Sequence, residues 1–218
     1  MSLTIEALED RLLPDATSFV TSLYESVLKR APDAAGLAFW VNRIQSGETY
    51  QDVATAFWQS PEHRGLEVDS YYQTFLNRAA DAAGRAFWIN EMTSGLMGEL
   101  AVQANFLTSN EFLASHATPA AFVSALYVDF LGRAPSISEQ AGWEGFLAAN
   151  GPATTTIAIE ASAEAYTRVL DAYYTTYLNR TSDAVGLAFW LSKLQTGQQT
   201  VGSVAELILG STEYINDH

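Results

Sequence analysis

The stretch RAPDAAGLAFW, residues 30–40, returns as RAADAAGRAFW at 78–88 and as RTSDAVGLAFW at 180–190. Each occurrence joins an arginine to an aspartate three residues on, and a Ser-x-Glu glutamate follows further down the chain. A guanidinium and two carboxylates could bind a ligand or move a proton. They could equally bind one another. A catalytic centre needs to form only once, so residues returning at the same place in every copy point to scaffold. We therefore expect Arg30 to pair with Glu62, Arg78 with Glu111, Arg133 with Glu164 and Arg180 with Glu213, each planar fork also reaching carbonyls left open at a helix end. If buried, such pairs would fix register more than add stability. Asp33, Asp81 and Asp183 fall where helix N-caps belong, each able to accept from N–H groups two or three residues on.

Other candidates are fewer. Trp40, Trp88, Trp143 and Trp190 lie on apolar helix faces and are expected in the core, with Phe39 beside Trp40. In the Tyr71-Tyr72 and Tyr173-Tyr174 pairs, adjacent helical residues point about 100° apart, so one ring of each must leave the buried stripe. Tyr71 and Tyr173, together with Trp58, are the expected exposed rings and the candidate ligand-binding residues. His63, His116 and His218 show no metal-ligand spacing, and no Asp-x-Asp or EF-hand loop is present, so no metal site is assigned. No Ser-His-Asp order, nucleophile elbow or phosphate-cradling loop is visible, and no catalytic residue is assigned.

The elements that must hold these residues come from an internal repeat. Tyr24, Tyr72, Tyr127 and Tyr174 are each followed four residues later by leucine and six later by arginine, and ten residues beyond each arginine stands one of the four tryptophans. Ser-x-Glu closes each copy, from Ser60-Glu62 to Ser211-Glu213. Copies two and four share DSYYQTFLNR and DAYYTTYLNR, absent from the others, so the order is ABAB. Phe19, Val20, Leu23, Tyr24, Val27 and Leu28 form one broad helical face. A second helix follows Asp33 and ends at Gly47, with Gly95 and Gly197 in the same role. A third starts after Thr49, and a short fourth starts at Ser60-Pro61. Gly36, Gly84 and Gly186 sit in a first helical turn, where glycine is a poor helix former, so another backbone or ring is expected against them. No strand alternation is seen. The expected fold is all-α, four tandem helical repeats of three to four helices, arranged as an N-terminal extension (1–16) and two similar modules (17–116 and 117–218).

Composition narrows the partners. With 218 residues and 48% apolar content the chain can bury a sizeable core. Its 25 acidic against 11 basic residues, net charge -14, leave no basic stripe for a phosphate backbone, so nucleic acid is not an expected partner and anionic membranes would repel it. No apolar run approaches the roughly 20 residues that span a bilayer. The absence of cysteine removes disulfides and thiolate metal sites.

The aromatic helix ending in Leu-x-Arg, the Asp-x-x-Gly-x-x-Phe-Trp joint, the helix closing at glycine and the final Ser-x-Glu together resemble the bacterial DUF4214 family. The resemblance covers about residues 17–215. Copy three departs from it, with Ser136, Glu139 and Gly142 in place of the aspartate, glycine and phenylalanine. The resemblance implies an all-helical module of large secreted or surface proteins, some of which bind calcium; calcium enters only by that context, and no cofactor is otherwise expected. The start MSLTIEALEDRLLPDA lacks the basic start and apolar run of a signal peptide. The expected function is a non-catalytic extracellular or cell-surface interaction or scaffold module, with a surface polysaccharide or another surface protein as partner. Alternatives are a carbohydrate-binding domain and a structural spacer or assembly unit. Departures from the repeat, such as Trp58, Arg85, Met97 and the loop at 135–142, are expected to mark what is specialised.

Overall fold

The computed structural model describes residues 15–217, so all but the end of the expected extension 1–16, and His218, lie outside the described residues. Copy one contributes α1 (Ala16–Ser26), α2 (Ala34–Gln45) and α3 (Tyr50–Trp58). Asp15 caps α1 by accepting from the Thr17 N–H at 2.9 Å, and Thr49 caps α3 by accepting from the Asp52 N–H at 3.1 Å. The next element is α4 (Pro61–Leu76), capped by Ser60 with Pro61 in its first turn. Copy two continues with α5 (Ala82–Thr93), α6 (Glu99–Leu107) and α7 (Asn110–Ser115). Copy three comprises α8 (Pro119–Leu126), a π-helical turn at Tyr127–Leu131 and α9 (Ile137–Glu160). Helix α9 kinks at Gly151 (φ 77°), where Pro152 begins a new segment. The chain ends with α10 (Ala163–Tyr177), α11 (Ala184–Gln195), α12 (Val201–Leu209) and α13 (Thr212–Asp217). Among the described residues all regular structure is helical.

The short fourth helix expected at Ser60 does not stop. Helix α4 runs on to Leu76 and so carries both the end of copy one and the first helix of copy two, and α10 does the same for copies three and four. Between copies two and three the rod is interrupted. Thr118 caps a new helix at Pro119, and a proline holds the residue before it out of the helical region.

Those two rods decide the architecture. One core joins Phe19, Leu23, Phe57 and Trp58 of copy one to Leu170, Tyr174, Ile208 and Tyr214 from the other end of the chain. The other joins Val68, Tyr72, Phe106 and Phe112 of copy two to Phe122, Leu126 and Ile159 of copy three. Copy one is thus completed by copy four, and copy two by copy three. The division into 17–116 and 117–218 follows the sequence duplication, whereas each core draws on both halves. Helices α3 and α12 pack together, as do α6 and α9. At the first of these contacts the Gln51 side chain donates to the Glu206 carbonyl at 2.9 Å.

Candidate functional site

The recurrent joint is built the same way in copies one, two and four. The residue before the arginine turns into the left-handed region (Lys29 φ 57°, Asn77 φ 49°, Asn179 φ 47°), which ends the helix and lets the arginine N–H donate back to the tyrosine carbonyl at 3.2 to 3.3 Å. The side chain then meets the expected glutamate. Arg30 donates to Glu62 at 2.5 and 3.0 Å, and Arg78 to Glu111 at 2.7 and 2.9 Å. Arg180 donates to Glu213 through Nε and, at 3.0 Å, through Nη2. Each guanidinium lies 4.7 Å from the ring centroid of Tyr24, Tyr72 or Tyr174 and donates to the next residue's carbonyl at 3.2 Å. These pairs are half-exposed rather than buried. The arginine hydrogen bond holds the Glu62, Glu111 and Glu213 carboxyls below their ordinary range.

The same tyrosines explain the glycines. Asp33, Asp81 and Asp183 accept from the Gly36, Gly84 and Gly186 N–H groups at 2.8 to 2.9 Å, the expected caps. A Cβ on any of these glycines would stand 2.2 to 2.3 Å from the tyrosine hydroxyl above it. Copy three lacks the glycine and solves the joint differently. Its tyrosine belongs to the π-helical turn and accepts from Trp143 Nε1 at 2.7 Å. Glu139 takes the glycine's place, closes a capping box with Ser136 and binds Arg133 at 2.7 and 3.0 Å, beside the expected Glu164 at 2.5 and 2.8 Å. The hydrogen bond to Arg133 lowers the Glu139 carboxyl strongly.

Of the three candidate ligand-binding rings, Trp58 is buried, while Tyr71 and Tyr173 are partly buried. Trp58 is 4% exposed, packed at 4.2 Å against the His63 ring and edge-on to Tyr173 and Tyr177. Tyr71 packs against the second core and Tyr173 against the first, and burial pushes both phenols well above 10. The reason is the position of α4 and α10. Helix α4 packs against α3, α5 and α6, and α10 against α11, α12 and the π-helical turn, so neighbours on more than one side cover both members of each Tyr-Tyr pair, the outer ring in part.

Between the cores lies a buried polar cluster that spacing did not reveal. Arg64 Nη1 donates to Glu67 and to Glu99, both at 2.6 Å, and Trp58 Nε1 donates to Glu99 at 3.2 Å. Burial, then the Glu99 charge, raises the Glu67 carboxyl against the pull of Arg64. The signal was available: Arg64, Glu67 and Tyr71 share one helical face, and their counterparts in α10 are Tyr166, Val169 and Tyr173. Arg64 and Glu99 also line an open cavity of about 580 Å³ with Met97 and Gly202. Arg85, another departure from the repeat, binds Asp69 at 2.8 to 3.0 Å and lies against Gly65.

The profile of the family described as a domain of unknown function, DUF4214, matches residues 12–66, 68–116, 104–169 and 153–218. The chain belongs to DUF4214. No curated protein and no solved structure matches it. The first two DUF4214 matches meet inside α4, so one continuous helix serves two family units. Among the described residues no three His, Cys, Asp or Glu side chains converge as a metal site needs, and no helix is long and apolar enough to cross a membrane.

What three of the DUF4214 units do leave exposed is the phenylalanine beside each tryptophan. Phe39, expected in the core, is 53% exposed, and Phe87 and Phe189 are 51% and 52% exposed. The tryptophan points inward and meets its neighbour edge-on at 4.9 to 5.0 Å. Arg43 and Lys193 extend over the Phe39 and Phe189 rings at 5.5 Å.

Proposed function

We propose that the chain is a non-catalytic interaction and scaffold module acting outside the cell or at its surface, with another surface protein as partner. The observation that carries this reading is the triplicate exposed edge of Phe39, Phe87 and Phe189. The repeated polar groups are spent on one another, in arginine pairs and helix caps. The repeated rings are what the copies present to a partner, and linked weak contacts of one kind gain avidity. The extracellular setting rests on the family resemblance, and the net charge of -14 disfavours nucleic acid and anionic membranes. A second reading, carbohydrate binding, is favoured by the hollow at the first edge, where Phe39 is flanked by Asn42, Arg43 and Glu48. A ring face beside amide and charged groups suits a sugar.

The test compares wild type, single Phe→Ser variants and the F39S/F87S/F189S triple on immobilised surface-protein extract and on arrayed surface polysaccharides. Saturable binding that weakens in each single variant and disappears in the triple is expected, on the protein surface for the first reading and on the polysaccharide array for the second. Undiminished binding by the triple variant, or turnover of any polysaccharide, would contradict the proposal.

A further inference from the structure

At the last residue of their third helix, copies one, two and four carry Trp58, Leu107 and Leu209, all buried in a core. Copy three carries Glu160 there. The side chain is 4% exposed, and neither carboxyl oxygen has a hydrogen-bond partner. Glu160 is among the residues lining a half-open cavity of about 330 Å³ where α4, α6, α9, α10, α12 and the π-helical turn meet, its two oxygens lying just beneath the lining. Phe75, Phe130 and Tyr166 supply apolar walls, and Asp129, whose carboxyl also feels His116, borders the cavity. Arg168 is the cation at this cavity, and its Nη1 is engaged by the Asp129 backbone carbonyl at 2.8 Å. The Tyr71 hydroxyl accepts from Gln103 at 3.3 Å. A charged group placed at an apolar core position, without a partner, faces a desolvation cost that nothing in the protein offsets.

From this geometry we infer that the Glu160 cavity is a binding site for a small organic ammonium ion with an apolar stem. The ammonium brings donors to a carboxyl that lacks them, and the stem lies against the aromatic walls. A hard dication fits less well, since calcium takes about 6 to 8 oxygen ligands and this cavity is lined largely by carbon. Burial raises Glu160 to about 9 and Asp129 to about 6, so at neutral pH the free site holds the Glu160 proton. An entering ammonium stabilises the carboxylate, and the displaced proton leaves to the buffer.

Calorimetric titration with n-butylammonium chloride near neutral pH tests the assignment, with butanol, sodium butyrate and calcium chloride as comparison ligands. The wild type should bind butylammonium saturably, releasing up to one proton per amine, as buffers of different ionisation enthalpy would report. Glu160→Gln should weaken binding by about tenfold or more. Glu160→Leu should do the same, and leucine already occupies this position in copies two and four, which keeps the test open should the first variant misfold. No saturable binding of butylammonium, equal binding by either folded variant, or binding of butanol or calcium as tight as that of the amine would overturn the inference.

Discussion

Each joint arginine meets a carboxylate, a tyrosine ring and a carbonyl at once, and Arg133 and Arg180 hold a second carboxylate, Glu139 and Asp183. Because the pair is half-exposed, solvent screens it and a modest energy follows. Arg180→Ala should cost about 1 kcal/mol in denaturant unfolding, within the range for exposed ion pairs and cation–π contacts, and not the several kcal/mol of a broken buried pair. A loss as large as a core truncation would show that the joint is drier than its exposure implies. Glu213, whose carboxyl is lowered by Arg180, stabilises the fold above its ordinary 4.5, and that contribution is lost as pH falls through the lowered value. Glu160 behaves in the opposite sense. Its carboxyl is raised from 4.5 to about 9, so across that interval the folded chain binds the extra proton and stability falls as pH rises, by up to about 1.4 kcal/mol per unit. Glu160→Gln should therefore gain on the wild type from about pH 5 to about pH 8, in the absence of any amine. Chemical denaturation at the two pH values checks this, and a gain that shrinks over the interval would contradict it.

At the scale of the element, the joint was legible because it recurs. The Asp33 cap, the Arg30-Glu62 pair and a ring over Gly36 all follow from residue types at fixed spacing, and the geometry repeats them. The glycine can be tested directly. Gly186→Ala should destabilise by about 1–3 kcal/mol through crowding, less the roughly 1 kcal/mol that alanine gains as a helix former. Adding Tyr174→Phe removes the hydroxyl that the new Cβ would meet at 2.3 Å. The double variant should recover most of the loss in a thermal-unfolding cycle; simple additivity would mean that the hydroxyl is not the obstacle. What spacing could not disclose was orientation where two faces compete. Phe39 and Trp40 are adjacent on α2, so only one can face the core, and the periodicity does not say which. Tyr71 is the converse case, since Gln103 and Phe106 of α6 lie across α4 and half-cover the ring that a single stripe would have left outside.

At the scale of the whole molecule, the contacts that matter are far apart in sequence. The ABAB duplication identifies two similar halves, yet the cores unite copy one with copy four and copy two with copy three. Helix periodicity is local and carries no record of which distant face a stripe meets. Glu160 and Arg64 are legible only once the four copies are aligned, as charges where the repeat is apolar. A chain cut after residue 116 would hold one side of each core, so neither fragment should give a cooperative monomeric unfolding transition, while an equimolar mixture should regain one in calorimetry; an independently folded monomeric half would contradict the crossed cores. The most direct measurement uses the absence of cysteine. At the contact between α3 and α12 the Gln59 side chain, just past the end of α3, donates to the Glu206 carboxylate at 2.9 Å. In the Gln59→Cys/Glu206→Cys variant, a short bifunctional maleimide added to the native protein should consume both thiols in an intramolecular link joining copy one to copy four. Two thiols that stay free in the native state, or that link only between molecules, would contradict the pairing of the first copy with the last.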